Sequence, residues 1–172
     1  MTNTKRLFIA VEVPGSVTEQ LTPSLNQVQG VQWHPGKNFH ITVKFIGDTP
    51  IESIKYVESL MDFIGNSFNS FKVSFRNLKV VESRLRLLIG NPETLTHMRE
   101  NFEHNLEKIN LFHQDIIQYE PHITLGKTMR DYRPPSMDFS NVGFQVKEIG
   151  LYETIRGETA AEFKLLKSSH LK

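Results

Sequence analysis

Cysteine is absent from the 172 residues. That excludes disulfide cross-links, thiolate metal sites and a cysteine nucleophile, and it suits a reducing compartment such as the cytoplasm. An excess of either charge is also missing: lysine and arginine number 20 against 19 aspartates and glutamates, a formal net charge of +1. A protein that coats nucleic acid is more basic than this, so any contact with RNA is expected to be local. Nor is there a long apolar run. The first, within residues 6–13, is broken by Glu12 and followed by Pro14. It is too short for a membrane span or a signal peptide and reads as a first β-strand. Low-complexity segments and long linkers are missing too, so one domain over residues 1–172 is expected. At 38% hydrophobic and 23% charged the chain is an ordinary globular one, long enough to bury a core without cross-links.

What is there alternates between strand and helix patterns. Residues 6–13, 39–46, 70–81, 84–89, 122–127, 144–152 and 162–166 read as strands, with a hairpin turn at Glu82-Ser83 and a stop at Gly47. Residues 16–29, 51–64 and 93–109 carry apolar residues at helical spacing, and Pro23 is expected to kink or delay the first of these helices. Residues 128–138, with Pro134-Pro135, read as a loop. Each half of the chain offers a strand, a helix and then a strand carrying His-Ile-Thr. This order predicts an α+β fold with mostly antiparallel sheets and helices on their outer faces.

The tripeptide occurs in FHITVKF, residues 39–45, and in EPHITLGK, residues 120–127, with the two histidines 82 positions apart. Composition alone predicts about 0.04 such tripeptides per chain, so two copies argue against accident. Strand alternation puts His40, Thr42 and Lys44 on one face, with Ile41, Val43 and Phe45 toward the core. In the second copy His122 and Thr124 share a face, and Ile123 and Leu125 point inward. Lys127 has the wrong parity unless the strand breaks or bulges at Gly126. Two imidazoles titrate near neutral pH and can serve as acid and base. Threonine hydroxyls and lysines can hold anionic oxygens. That kit suits a phosphodiester: one histidine deprotonates water and the other protonates the leaving alkoxide. A metal centre is the rival reading, with Glu120 as the nearest third ligand to His40 and His122, but no HExxH or carboxylate-rich motif accompanies it.

Two H-x-T-x motifs in a chain of this size resemble the two-histidine (2H) phosphoesterase superfamily, and within it the LigT-like RNA 2′,3′-cyclic phosphodiesterases, historically called 2′-5′ RNA ligases. RLFIAVEVP, VQWHPGKNFHITVKFIGD, EPHITLGK and LYETIRGETAAEF carry the resemblance over nearly the whole chain. It implies a bilobal fold with pseudo-two-fold duplicated sheets and a central groove. It also implies hydrolysis of a 2′,3′-cyclic phosphate to a 2′-phosphomonoester without metal or other cofactor. His40 and His122 carry over as the catalytic pair and Thr42 and Thr124 as phosphate ligands. Lys127 stands where an arginine is common, and Phe163 where tyrosine is common. Lys44 joins the site by strand parity alone. Phe8, in the first strand, is a candidate for stacking on a base.

The expected substrates are RNA ends or nucleotides carrying the cyclic phosphate, with weak reverse 2′-5′ ligation, in a cytoplasmic monomer that makes no contact with membranes. The alternatives are a hydrolase of small cyclic nucleotides or ADP-ribose cyclic phosphate on the same fold, and a non-catalytic RNA-binding relative. Trp33 reads equally as a stacking platform or a lid over the core. Tyr119 and Arg130 read as solvated loop positions, and His97 and His104 as an exposed helix face. His34, His113 and His170 have no motif around them.

Overall fold

The computed structural model describes residues 3–111, 118–157 and 161–172; His113 lies outside them, as does the centre of the expected closing hairpin. Nine strands and three helices are present among the described residues. The chain runs β1 (Thr4–Glu12), α1 (Gly15–Leu25), β2 (Gln32–Trp33), β3 (His40–Pro50), α2 (Ile54–Gly65), β4 (Phe71–Val81) and β5 (Arg84–Ile89). It continues through α3 (Glu93–Lys108), β6 (His122–Lys127), β7 (Gly143–Val146), β8 (Glu148–Arg156) and β9 (Ala161–His170). Short 3-10 turns at Gly36–Asn38 and Ile51–Ser53 lead into β3 and α2.

All strand pairings are antiparallel, in the order β7-β4-β5-β6-β3-β1-β8-β9, with β2 added alongside β6. The order is symmetric about its middle. On either side of the β6–β3 seam stand four strands, and the motif strands are the two that meet there. A single register pair, Ile41 opposite Ile123, joins them. These are the central residues of the two His-Ile-Thr tripeptides, so the pseudo-two-fold axis passes between them.

The helices bury one side of the sheet. Val17, Leu21 and Leu25 of α1, Val57, Met61 and Ile64 of α2, and Leu95, Met98, Phe102 and Leu106 of α3 lie in one core with Leu7, Ile9, Ile41, Val43, Leu85, Leu87, Ile123 and Leu125. The opposite side of the sheet is left for the groove. His97 and His104 lie on the exposed side of α3, as their spacing predicts. The hairpin at Glu82-Ser83 also forms. Both residues have positive φ, 50° and 60°, the paired left-handed conformation of a type I′ turn that suits the twist of the flanking strands.

Some boundaries differ from the sequence reading. β3 does not stop at Gly47 but runs on to Pro50, because β1 pairs along its whole length. Ile46 is passed over where the register shifts, and Gly47 takes φ of +86°, which favours glycine. Residues 144–152 are not one strand: β7 pairs with β4 at one end of the sheet and β8 pairs with β1 near the other. Helix α1 ends at Leu25 although Pro23 lies inside its last turn. The two-residue β2 is too short to show a periodicity, and the sequence reading does not contain it.

Candidate active site

Local backbone geometry fixes both histidines in the same way. His40 donates from Nδ1 to the carbonyl oxygen of Asn38, and His122 from Nδ1 to that of Glu120, each at 2.7 Å. A carbonyl only accepts, so Nδ1 carries the proton in each neutral ring and Nε2 presents a lone pair. In each case the acceptor lies two residues before the histidine. The pseudo-two-fold thus extends from strand order to tautomer.

The same symmetry explains where the lysines go. In β3 the register with β1 runs Glu12 with His40, Val11 with Ile41 and Ala10 with Thr42, then jumps to Ile9 with Lys44, leaving Val43 as a bulge. In β6 the register with β5 runs Leu87 with Ile123 and Arg86 with Thr124, then jumps to Leu85 with Gly126, leaving Leu125 as a bulge. Both motif strands therefore bulge at the residue after threonine, and parity flips there.

Lys44 consequently does not join His40 and Thr42 on the groove face, as simple alternation predicts. It shares the core face with Ile9, is 1% exposed, and pairs through Nζ with Glu103 of α3 at 3.1 Å. Phe45 takes the groove side instead. It is opposite Phe8 and half-buried, with the Arg6 guanidinium 5.1 Å above its ring. The second bulge has the reverse effect on Lys127, which regains the face of His122 and Thr124 and stands exposed opposite Arg84. The required break falls at Leu125, one residue before the expected Gly126.

Glycine at 126 serves another purpose. A Cβ there would lie 2.5 Å from the Gln32 carbonyl oxygen and 3.0 Å from Trp33 Cα. The missing side chain is what lets β2 sit against β6. His34 follows at once, its N–H bonded to the Leu125 carbonyl at 2.9 Å.

Thr42 and Thr124 are half-buried on the groove side of their strands. Tyr119 is not a solvated loop residue: its hydroxyl donates to the Thr42 carbonyl at 2.9 Å, and the Arg99 guanidinium lies 4.6 Å over its ring. Glu120, the suggested third metal ligand, directs its carboxylate to Lys79 at 2.7 Å and to Arg76 at 3.8 Å.

Aromatic residues fill the flank beside His40. Phe8 is 4% exposed; its ring lies 5.2 Å from the His40 ring, stacks on Tyr152 at 5.3 Å and meets Phe163 edge-on at 5.2 Å. With Glu12, Lys37 and Leu165 these rings line a pocket of about 220 Å³. Phe8 forms its back wall and helps to hold His40, while Tyr152 and Phe163 complete the aromatic lining. Burial pushes the Tyr152 hydroxyl up to about 12, aided by the charges of Glu12 and Glu148.

Electrostatics favour neutral imidazoles in the free protein. Burial lowers His40, against the pull of the Asn38 carbonyl, and His34 adds to the lowering. Burial pushes His122 down to about 4; the Glu120 carbonyl opposes this, and the Arg86 guanidinium reinforces it. His34 is lowered by burial and by the charges of Lys127 and Arg84. Burial is the largest cause for each of the three rings, and cations reinforce it at His122 and His34.

Sequence reasoning missed Arg84, Arg86, His34 and Tyr152. The two arginines had a readable signal: in RLRLLI they alternate with Leu85 and Leu87, so both must lie on the polar face of β5. His34 had none, since only the β2–β6 pairing brings it to the groove.

Comparison with known proteins agrees with the fold. A family profile described as LigT like Phosphoesterase matches residues 11–88. An Archaeoglobus fulgidus protein named RNA 2′,3′-cyclic phosphodiesterase is 30% identical over 133 residues, 73% of each chain. Among solved structures, a Thermus thermophilus protein superposes with a TM-score of 0.85 at 19% identity, covering 96% of this chain and 97% of that one. Escherichia coli LigT, solved in complex with 3′-AMP, superposes with a TM-score of 0.83 at 21% identity, covering 98% and 99%.

Proposed function

The chain belongs to the LigT-like phosphoesterase family, and from that premise we propose that it hydrolyses the 2′,3′-cyclic phosphate of RNA ends or nucleotides to a 2′-phosphomonoester. The observation that carries the reading is the matched pair of histidines. Each is locked by an Nδ1–H bond to a carbonyl two residues back, and the pair flanks one seam. One Nε2 takes a proton from water as its oxygen bonds to phosphorus. The P–O3′ bond breaks, and the other imidazole, protonated at Nε2, gives its proton to O3′. A second imidazole must be charged for this step, and an anionic ligand between the rings favours that charge. Thr42 and Thr124 hold the non-bridging oxygens, and Lys127 at the mouth attracts the phosphate. The aromatic pocket beside His40 takes the terminal base. A 5′-hydroxyl in place of water would form a 2′-5′ linkage through the same proton transfers, so slow reverse ligation is expected.

The test is incubation in EDTA with an RNA ending in 2′,3′-cyclic phosphate. A 2′-phosphate product that is lost in both His40→Ala and His122→Ala supports the reading. A 3′-phosphate product, or activity that survives both substitutions, rejects it. Activity abolished by the chelator points to a metal centre instead, and tight RNA binding without turnover to a binding module.

A further inference from the structure

A second cavity opens beside His122, on the flank opposite the aromatic pocket. It has a volume of about 310 Å³ and is lined by Lys79, Val81, Arg86, Gln118, Tyr119 and Glu120. Neither histidine and neither motif threonine contributes to its walls, so it adjoins the reacting phosphate without containing it. The charges in it do not cancel. Lys79 is neutralised by Glu120 at 2.7 Å. Among the described residues Arg86 has no carboxylate within ion-pair distance, and its buried Nε has no hydrogen-bond partner. A half-buried guanidinium with an unmet donor is costly unless an anion completes it. Register fixes its location: Arg86 stands opposite Thr124 on the groove face, where facing Cβ atoms are about 5 Å apart.

We infer that this cavity is a subsite for the 5′-phosphate of the terminal nucleotide, with Arg86 as its anchor. The inference rests on the hydrolytic reading above and adds to it what kind of end the site accepts. The chemistry of the ribose supplies the direction. With the 2′,3′ edge between the histidines, C1′ and C4′ lie at opposite ends of that edge. The base on C1′ and the 5′-carbon on C4′ must therefore leave toward opposite flanks. One flank is aromatic and suits a base. The other holds an unpaired guanidinium and suits the next anion along the chain, which is the phosphate on O5′. An RNA end fills both flanks, whereas a nucleoside 2′,3′-cyclic phosphate leaves Arg86 unmet.

The test compares adenosine 2′,3′-cyclic phosphate with the same compound carrying a 5′-phosphate. In the wild-type protein the 5′-phosphate should raise kcat/KM about tenfold to a hundredfold, the worth of one charge-assisted hydrogen-bonded contact. Arg86→Gln should bring that ratio close to one. Arg86→Lys, which keeps the charge but loses the fork, should hold an intermediate ratio that falls with added salt. A wild-type ratio near one, with the plain compound still hydrolysed, overturns this inference alone. So does a ratio that is unchanged in Arg86→Gln. Hydrolysis of neither compound nor of a cyclic-phosphate-ended RNA overturns the parent reading and takes this one with it. Should Arg86→Gln fail to fold, the wild-type ratio and the lysine variant still decide the matter.

Discussion

Replacing Lys44 by methionine separates a structural lysine from one that holds phosphate. Methionine keeps most of the stem that fills the core and removes the ammonium group. The change deletes a 3.1 Å contact to Glu103, which keeps its 2.7 Å bond to Arg99 and is one-quarter exposed. A hydrogen bond to a charged group is worth about 2 kcal/mol. The retained Arg99 keeps the loss below the roughly 3–5 kcal/mol typical of a bare buried charge. At about 3 °C per kcal/mol for a chain of this length, Tm should fall by about 6 °C. A phosphate-ended substrate should notice little, because the bulge at Val43 turns Lys44 away from the groove, and kcat/KM should stay within about threefold. Were Lys44 instead a phosphate ligand, losing a charged contact in the transition state would cost about ten- to a hundredfold in kcat/KM. Calorimetry and steady-state kinetics on the same preparation decide the matter. An unchanged Tm with a large kinetic loss would refute the argument from register.

The remaining predictions concern pH and the seat of β2. Catalysis needs one imidazole charged and one neutral, and both are lowered in the free protein, so kcat/KM should peak below about pH 6.5 and fall as pH rises; an optimum above about pH 7.5 contradicts this. His122 at about 4 takes up its proton in the unfolded chain before it does in the folded one. Stability should therefore be lost as pH falls from about 6.5 to 4, by up to about 3 kcal/mol. His122→Asn should flatten that slope in acid denaturation; an unchanged slope counts against a buried neutral imidazole. Gly126→Ala forces a Cβ to within 2.5 Å of the Gln32 carbonyl oxygen and should destabilise the protein by about 1–3 kcal/mol. Trp33, the one tryptophan of the chain, sits on the displaced segment, so its emission should shift to the red; unchanged emission and Tm would mean that β2 accommodates the methyl group.

The sequence made the helices, the Glu82-Ser83 turn and the two histidine strands legible, since each rests on a local pattern: apolar spacing, turn chemistry, or a repeated tripeptide. It did not make the far side of each motif legible. Alternation carries Lys44 into the groove and leaves Lys127 out. The two bulges reverse both, and a bulge is set by the pairing of neighbouring strands, which no single strand encodes. His34 and Tyr119 escape a sequence reading for the same reason. One reaches the groove through a two-residue strand, and the other through a hydroxyl directed at a backbone carbonyl 77 positions away. Arg86 was legible in its alternation with leucine but carried no motif to draw attention to it.

The single pair Ile41–Ile123 has a mechanical consequence. Each half of the sheet is held by long ladders of its own, while one register pair joins the two motif strands, and α3 packs across the seam against β3. The two imidazoles thus ride on two ladders that meet along a line crossed by a single backbone pair. What spans that line includes two side-chain links, Lys44 to Glu103 and Tyr119 to the Thr42 backbone. The spacing of the imidazoles is therefore set mainly by the side chains packed beneath the seam, Ile41 and Ile123 first among them, none of which meets the substrate.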